Sequence, residues 1–148
     1  MTTIASTREG MAADSKTVIE DGFAYSASKI ARCPDGGIAG AAGDGDWPQK
    51  FIAWCLDGRP RKRPSARGAE FSGLYLSPRG LWRYDDSFYA DRVNDPFTAV
   101  GSGATAALAV LTLQLNRRET LDPTLAVDIA CSLDIYSGRP VQVIWLKR

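Results

Sequence analysis

The sequence predicts an α+β fold with helices layered on antiparallel sheets, and three observations carry the prediction. Short apolar segments are joined by tight turns in place of regular alternation with helices, helical spacing of apolar residues is confined to three stretches, and two of those stretches lie together near the C-terminal end. At 148 residues, with 45% apolar and 24% charged side chains, the chain reads as a single globular domain over 1–148.

Taken in order, Thr2 to Ser6 reads as a strand, Arg8-Glu9-Gly10 as a tight turn and Met11 to Asp14 as the antiparallel return. Phe23 to Cys33 is a further strand, turned by Pro34-Asp35-Gly36-Gly37 into Ile38-Ala39-Gly40-Ala41-Ala42-Gly43. So many small residues in one strand imply a close approach to its backbone. Asp46-Trp47-Pro48 starts a helix with Asp as N-cap, Phe51, Ile52, Cys55 and Leu56 form its apolar face, and Gly58 ends it. Arg59 to Arg67 (RPRKRPSAR) has no periodicity and is an exposed loop. Phe71 to Leu76 and Leu81 to Tyr84 flank the hairpin turn Ser77-Pro78-Arg79-Gly80, and Phe97 to Val100 leads into Gly101-Ser102-Gly103. Gly103 to Asn116 is an amphipathic helix with Ala104, Ala107, Leu108, Leu111 and Leu115 on one face. Asp122-Pro123 opens a last helix carrying Leu125, Ile129 and Leu133, and Val141 to Leu146 closes the chain as a strand.

Composition narrows the chemistry. No residue is histidine, which removes Ser-His-Asp triads, Cys-His dyads and H-E-x-x-H metal sites. Cys33, Cys55 and Cys131 are odd in number and lack metal-ligand spacing, so they read as reduced, packed thiols. A net charge of +1 gives no global attraction for nucleic acid or anionic membrane. No apolar run is long enough to span a bilayer and the N-terminus lacks a signal-peptide pattern, so a cytoplasmic location is the default expectation.

One mechanism survives the missing imidazole. A threonine exposed by removal of Met1 carries its own base, the free α-amine, and Thr2 stands at that position. Taken singly, the other polar motifs have plain explanations: Thr2 as a strand end, Asp14 as a turn acid, Lys29 as an edge charge, Asp134 to Gly138 as a helix cap. Gly101-Ser102-Gly103 presents free N–H groups at a helix entry but lacks the spacing and lysine of a P-loop.

Together these motifs resemble the proteasome β-type threonine peptidases, in particular the bacterial HslV-like branch, in the right order and over nearly the whole chain. Met1-Thr2-Thr3-Ile4 is similar to the start of a propeptide-free member, Ala12-Ala13-Asp14-Ser15 to the segment holding the buried acid, and Lys29-Ile30 to the active-site lysine. Ile38 to Gly43 resembles the oxyanion strand, with Gly43 on its oxyanion glycine, Gly101-Ser102-Gly103 the glycine-flanked serine, and Asp134 to Gly138 the Asp-x-x-Ser-Gly run.

The resemblance implies a four-layer αββα sandwich of two antiparallel sheets, the N-terminal nucleophile hydrolase fold. It also implies a catalytic set of Thr2, Asp14, Lys29, Gly43, Ser102, Asp134 and Ser137. Thr2 would attack a carbonyl carbon while its α-amine or Lys29 takes the proton, and Asp14 would pair Lys29. The Gly43 N–H would stabilise the oxyanion, worth about 3 to 4 kcal/mol of barrier. Ser102, Asp134 and Ser137 would orient the amine. Ala27 and Ala41 would line the specificity pocket, where alanine leaves room for large apolar side chains. No cofactor is required; the carbonyls of Cys131, Asp134 and Ser137 match a structural monovalent or divalent cation loop. The implied substrate is a peptide or unfolded protein, cleaved inside a homo-oligomeric double ring.

The chain departs from the family between Gly43 and Gly101, where it is shorter by about one helix, so the helical layer is shortened and six-fold or seven-fold closure stays open. An ATPase unfoldase is a partner by analogy alone, since no docking motif for one stands out. The basic run Arg59 to Arg67 reads as a solvated loop replacing that helix, or as a contact to an acidic neighbour. Trp47, Trp54 and Trp82 nearby could imitate a nucleic-acid stacking platform, but two of them lie in a segment with a buried-face pattern. Two further functions share much of this sequence: an amidohydrolase acting on a small molecule, and a ring-forming or binding scaffold without activity.

Overall fold

The turn at Arg8-Glu9 folds β1 (Thr3–Thr7) back on β2 (Gly10–Ala13), and both strands are wholly buried because sheet and helices cover their two faces. A computed structural model describes residues 2–19 and 22–147 of the chain. β1 also pairs with β10 (Phe97–Gly101), and β2 with β11 (Gln142–Trp145), giving an antiparallel sheet in the order β10-β1-β2-β11. The second sheet is a meander of β5 (Ile30–Arg32), β6 (Ile38–Gly43), β7 (Phe71–Ser77), β8 (Gly80–Tyr84) and β9 (Ala90–Arg92).

The two sheets pack face to face through Ile4, Met11, Ile38, Leu74, Leu76 and Leu81. Gly40 makes the approach possible, since a Cβ there would lie 2.8 Å from Met11 Sδ and 2.9 Å from an Ile30 methyl. The small residues of β6 thus meet the opposing sheet on one face, as the sequence implies, and the helix layer on the other through Ala39 and Ala41.

The outer layers differ in chemistry. α1 (Trp47–Leu56) lies on the five-stranded sheet over an aromatic core in which Phe51 touches Trp54, Phe71, Tyr84 and Phe88 at centroid separations of 5.1 to 6.1 Å. Such pairs contribute about 0.5 to 1.5 kcal/mol each beyond burial. α2 (Ala104–Asn116) and α3 (Pro123–Leu133) lie on the other sheet over an alanine-rich layer of Ala5, Ala12, Ala99, Ala107, Ala126 and Ala130. The α+β architecture is therefore helix, sheet, sheet, helix pair, with a single helix on one side.

Three helix faces differ from the sequence expectation. α3 buries Pro123, Ala126, Val127 and Ala130 and turns Leu125, Ile129 and Leu133 outward, because only small side chains fit so close to β1 and β2. α2 buries Gln114 and exposes Leu115; the Gln114 side-chain oxygen accepts from Asp122 N–H at 2.9 Å and ties the two helices. α1 buries Trp54 in place of Leu56, and Asp46 makes no side-chain cap, lying 3.5 Å from Lys50 across one helical turn. The Asp122 cap does form, its carboxylate accepting from the N–H groups of Thr124 and Leu125.

Phe23 to Cys33 is not one strand. Its first part, β4 (Ala24–Ser26), pairs with β3 (Lys16–Val18) in a separate ribbon that the sequence reading lacks, and its second part is β5. Residues 27–29 carry the chain between the two, and Lys29 sits in that break. The basic run is an extended loop as expected, yet two of its arginines are held: Arg59 stacks on Tyr75 and pairs with Asp35 at 3.3 Å, and Arg63 donates to Phe88 O. Cys33 and Cys55 are buried free thiols and Cys131 a half-buried one; burial pushes the Cys33 thiol up to about 11, so it stays protonated. No helix among the described residues is long and apolar enough to cross a membrane.

Candidate active site

Asp14 follows the last residue of β2 and is fully buried beneath the start of β1. A carboxylate in such a place needs donors on all sides, and it has them. Oδ1 accepts from Thr3 N–H at 2.9 Å and from Lys29 Nζ at 3.0 Å. Oδ2 accepts from Lys29 Nζ at 3.1 Å, Gly138 N–H at 3.0 Å and Lys16 N–H at 3.2 Å. Asp14 therefore joins β1, β3, the Lys29 break and the turn after α3 at one point.

Lys29 reaches this point because the chain leaves the ribbon at Ala27, whose N–H donates to Ser15 O at 2.8 Å, and turns inward before β5. Its ammonium donates to Asp14 and to Lys16 O. Burial lowers the Lys29 pKa below the usual lysine value, and the attraction of Asp14 recovers part of that loss. It is a buried, paired cation rather than the edge charge that its position alone suggests.

A second network lies on the far side of Thr3. Asp134 is the C-cap of α3, and its Oδ2 accepts from Ser102 Oγ and from Ser137 Oγ, both at 2.6 Å. Burial works to raise the Asp134 pKa, but these hydroxyls and the Tyr136 N–H outweigh it and hold the carboxyl below the usual range. Ser137 Oγ also lies 2.6 Å from Thr3 Oγ1. The glycines around Ser102 are explained by the same strand: a Cβ on Gly101 would fall 1.7 Å from Thr2 O, and one on Gly103 2.0 Å from Thr3 Oγ1. Gly101-Ser102-Gly103 serves close passage of β1.

Thr2, nearly buried, stands between two cavities. The larger, about 810 Å³, is lined by Thr2, Lys29, Ala27, Ala41, Gln49 and Ile52 among others. The smaller, about 540 Å³, runs past Ser72, Arg83, Ser102 and Leu108. Gly43 and Asp44 line both with Thr2. Gly43 has φ +152°, and a Cβ there would lie 2.4 Å from Glu70 O, so β7 admits only glycine.

All seven residues of the expected catalytic set, with Ala27 and Ala41, thus converge on this one region of the chain. Met1, whose removal the mechanism requires, lies outside the described residues. Cys131, half-buried on the last turn of α3, and Ser137 lie beside Asp134, whose carbonyl accepts the Ser137 N–H at 3.2 Å. No group of three His, Cys, Asp or Glu side chains among the described residues could hold a metal. Sequence reasoning missed Thr3, which contacts both acids' networks; the Thr2-Thr3 pair at the strand start was the available signal.

The layering is that of the four-layer αββα fold of the N-terminal nucleophile hydrolases. Solved structures sharing it over the full length include BPH from Thiobacillus denitrificans, at 19% identity, TM-score 0.71 and 98% of each chain covered. Eukaryotic HslV from Trypanosoma brucei is similar at 23% identity and TM-score 0.69 with 99% of each chain covered. Anbu from Hyphomicrobium sp. strain MC1 is similar at 16% identity and TM-score 0.68, covering all of this chain and 82% of that one. One solved form of the Thiobacillus protein is its complex with epoxomicin. No protein-family model and no curated protein matches the sequence.

Proposed function

We propose that the chain is an HslV-like threonine endopeptidase whose nucleophile is Thr2. The observation that carries this reading is the placement of Thr2 between two cavities that share Gly43, with the Asp14–Lys29 pair beside the larger one. Once Met1 is removed, Thr2 Oγ1 attacks the substrate carbonyl carbon and its proton passes to the α-amine. Lys29 donates to Asp14 and Lys16 O, so it acts as the fixed cation that favours the alkoxide, and the amine as the base. The oxyanion is held by the Gly43 N–H. Collapse breaks the C–N bond and the leaving amine takes the proton; water then hydrolyses the Thr2 ester and restores the hydroxyl.

A peptide rather than a small amide is the substrate that suits the site, because space continues on both sides of Thr2. The acyl side enters the larger cavity. Its walls at Ala27, Ala41 and Ile52 carry short or apolar side chains and leave room for a large apolar residue before the scissile bond. In a peptide panel varied at that position, Leu, Phe and Tyr are expected to give kcat/KM about tenfold above Asp or Glu, as one buried apolar side chain contributes on the order of 1 to 3 kcal/mol. A strict acidic preference would overturn this assignment.

We further propose that the peptidase works as a ring of its own copies, a reading supported by the shared fold with HslV. Native mass spectrometry tests it: a ring of at least six copies is the expected species, and an active monomer would favour the small-molecule amidohydrolase. A cation at the carbonyls of Cys131, Asp134 and Ser137 would be a structural part of this reading, readable as a metal-dependent melting temperature without any role in the chemistry.

A further inference from the structure

The face of the five-stranded sheet that meets the other sheet is apolar along most of its length and changes at one end. Strand alternation puts Leu76 and Leu74 of β7 and Leu81 of β8 on that face, packed in the core between the sheets. The next residues in the same alternation are Ser72 and Arg83, with Ser72 opposite Ala42 and Arg83 opposite Leu74 in the strand register. An arginine on an inward face needs an opening to water, and here the sheets part to give the smaller cavity of about 540 Å³. Ala42, Val100, Ala104 and Leu108 form its apolar side. Arg83 is exposed within it and donates from Nη2 to Ser72 Oγ at 3.4 Å, which places the guanidinium over β7. Asp85, two residues on, is taken up by the N–H and hydroxyl of Ser87, and Asp91, opposite Arg83 on β9, makes no ion pair with it. Among the described residues no carboxylate pairs with Arg83.

The charges lining this cavity have an order. Asp44 and Glu70, joined by the Asp44 N–H donating to Glu70 O at 2.9 Å, stand at the end next to Gly43 and Thr2, and Arg83 stands beyond them on β8. A peptide released by attack of Thr2 can match that order, with its new ammonium at the first residue and a carboxylate further along. Resting on the reading of Thr2 as nucleophile and of the larger cavity as the acyl side, we propose that Arg83 is a specificity-determining residue of the leaving-group side, binding a carboxylate on the second residue of the leaving peptide. The spacing suits this position. Neighbouring strands lie about 4.8 Å apart, so a guanidinium over β7 is one such step from β6 and Gly43, and an extended peptide advances about 3.4 Å per residue. The carboxylate has two sources, an Asp or Glu side chain at the second residue or the C-terminal carboxylate of a leaving dipeptide. The planar guanidinium fork accommodates both.

The test is kcat/KM for three peptides that share an acyl side ending in Leu and differ in the leaving group: Ala-Glu amide, Ala-Gln amide or Ala-Gln free acid. The second residue then carries a side-chain carboxylate, none, or a terminal one. At low salt either carboxylate is expected to raise kcat/KM about fivefold over the uncharged peptide, the upper end for an ion pair open to solvent. The ratio should fall toward one in about 0.5 M salt, where charges are screened within a few ångströms. A gain with one carboxylate alone supports the subsite and names the source. Ratios are read within each variant, so differences in the amount of active enzyme cancel. Arg83→Gln is expected to bring both ratios to about one and Arg83→Lys to keep part of the gain. Arg83→Glu should turn the gain into a loss, with Ala-Lys amide now favoured over Ala-Gln amide. Equal kcat/KM for all three peptides in the wild type, or a gain that survives in Arg83→Gln, would overturn the proposal; the wild-type comparison needs no variant to fold. With hydrolysis and electrophile labelling of Thr2 both present, that result strikes the subsite alone. Absence of hydrolysis and of labelling at Thr2 would strike the nucleophile and the subsite with it.

Discussion

Thr2→Ala is expected to lower peptide hydrolysis by more than about a thousandfold, because it deletes the one atom that forms the acyl bond and leaves only the oxyanion donor and binding. Stability is expected to change little. Thr2 is a short side chain just before β1, and the contact that shapes its surroundings, the passage of its carbonyl over Gly101, belongs to the main chain. Thr2→Ser keeps both hydroxyl and α-amine and is expected to retain measurable hydrolysis. Peptide cleavage by purified variants, with melting temperatures alongside, checks all three. Equal loss in the serine and alanine variants would count against Thr2 as nucleophile, since only one of them lacks the reactive oxygen.

Asp14→Ala carries the largest expected cost in stability, about 3 to 5 kcal/mol, for it takes the carboxylate from the buried Lys29 ammonium and the acceptor from the N–H groups of Thr3, Lys16 and Gly138 together. The loss should depend on pH with a definite sign. Burial already lowers the Lys29 pKa, and the pull of Asp14 opposes it; without Asp14 the folded-state value falls further below that of the unfolded chain. Between those two values the unfolded state binds more protons, so the variant gains stability as pH rises and regains most of this part near the ordinary lysine pKa. Urea unfolding at pH 6 and pH 9 should therefore show a smaller deficit at pH 9. Adding Lys29→Met to Asp14→Ala should recover part of the loss at pH 6, where a buried ammonium without its carboxylate costs most. A deficit independent of pH would mean that Lys29 is not the buried cation described above.

How much of this was legible in the sequence follows from what each residue's partners are. The hairpin of β1 and β2, the full extent of β6 and the turn before β8 are local patterns of turn residues and apolar runs, and they stand where the sequence puts them. The αββα layering needed the resemblance, because no local pattern says which sheet a helix covers. α3 shows the limit of periodicity. Its stripe of large residues, Leu125, Ile129 and Leu133, is the natural choice for a buried face, yet the sheet beneath is built of Ala5 and Ala12 and accepts only alanine and valine at close range. The ribbon of β3 and β4 was invisible for a related reason: its strands are three residues long and largely exposed, too short for alternation to register.

The residues that lie together around Thr2 could be named from the sequence; the hydrogen bonds that join them could not. Asp14 and Lys29 could be named, but the four donors that make five contacts to the Asp14 carboxylate come from four separate parts of the chain. Thr3 escaped because its role rests on contacts across 11 and 134 positions of sequence, to Asp14 and Ser137. The glycines flanking Ser102, which the sequence shows only as a glycine-flanked serine at a helix entry, are the gap through which Thr2 and Thr3 pass.

Whether a free α-amine and hydroxyl on Thr2 perform the chemistry is decided by intact mass and N-terminal identification of active protein after treatment with epoxomicin. The expected product is a chain that begins at Thr2 and carries one equivalent of the electrophile on that residue, with hydrolysis lost in proportion. Active protein that begins at Met1 and stays unmodified would contradict it, because the amine would then be locked in a peptide bond.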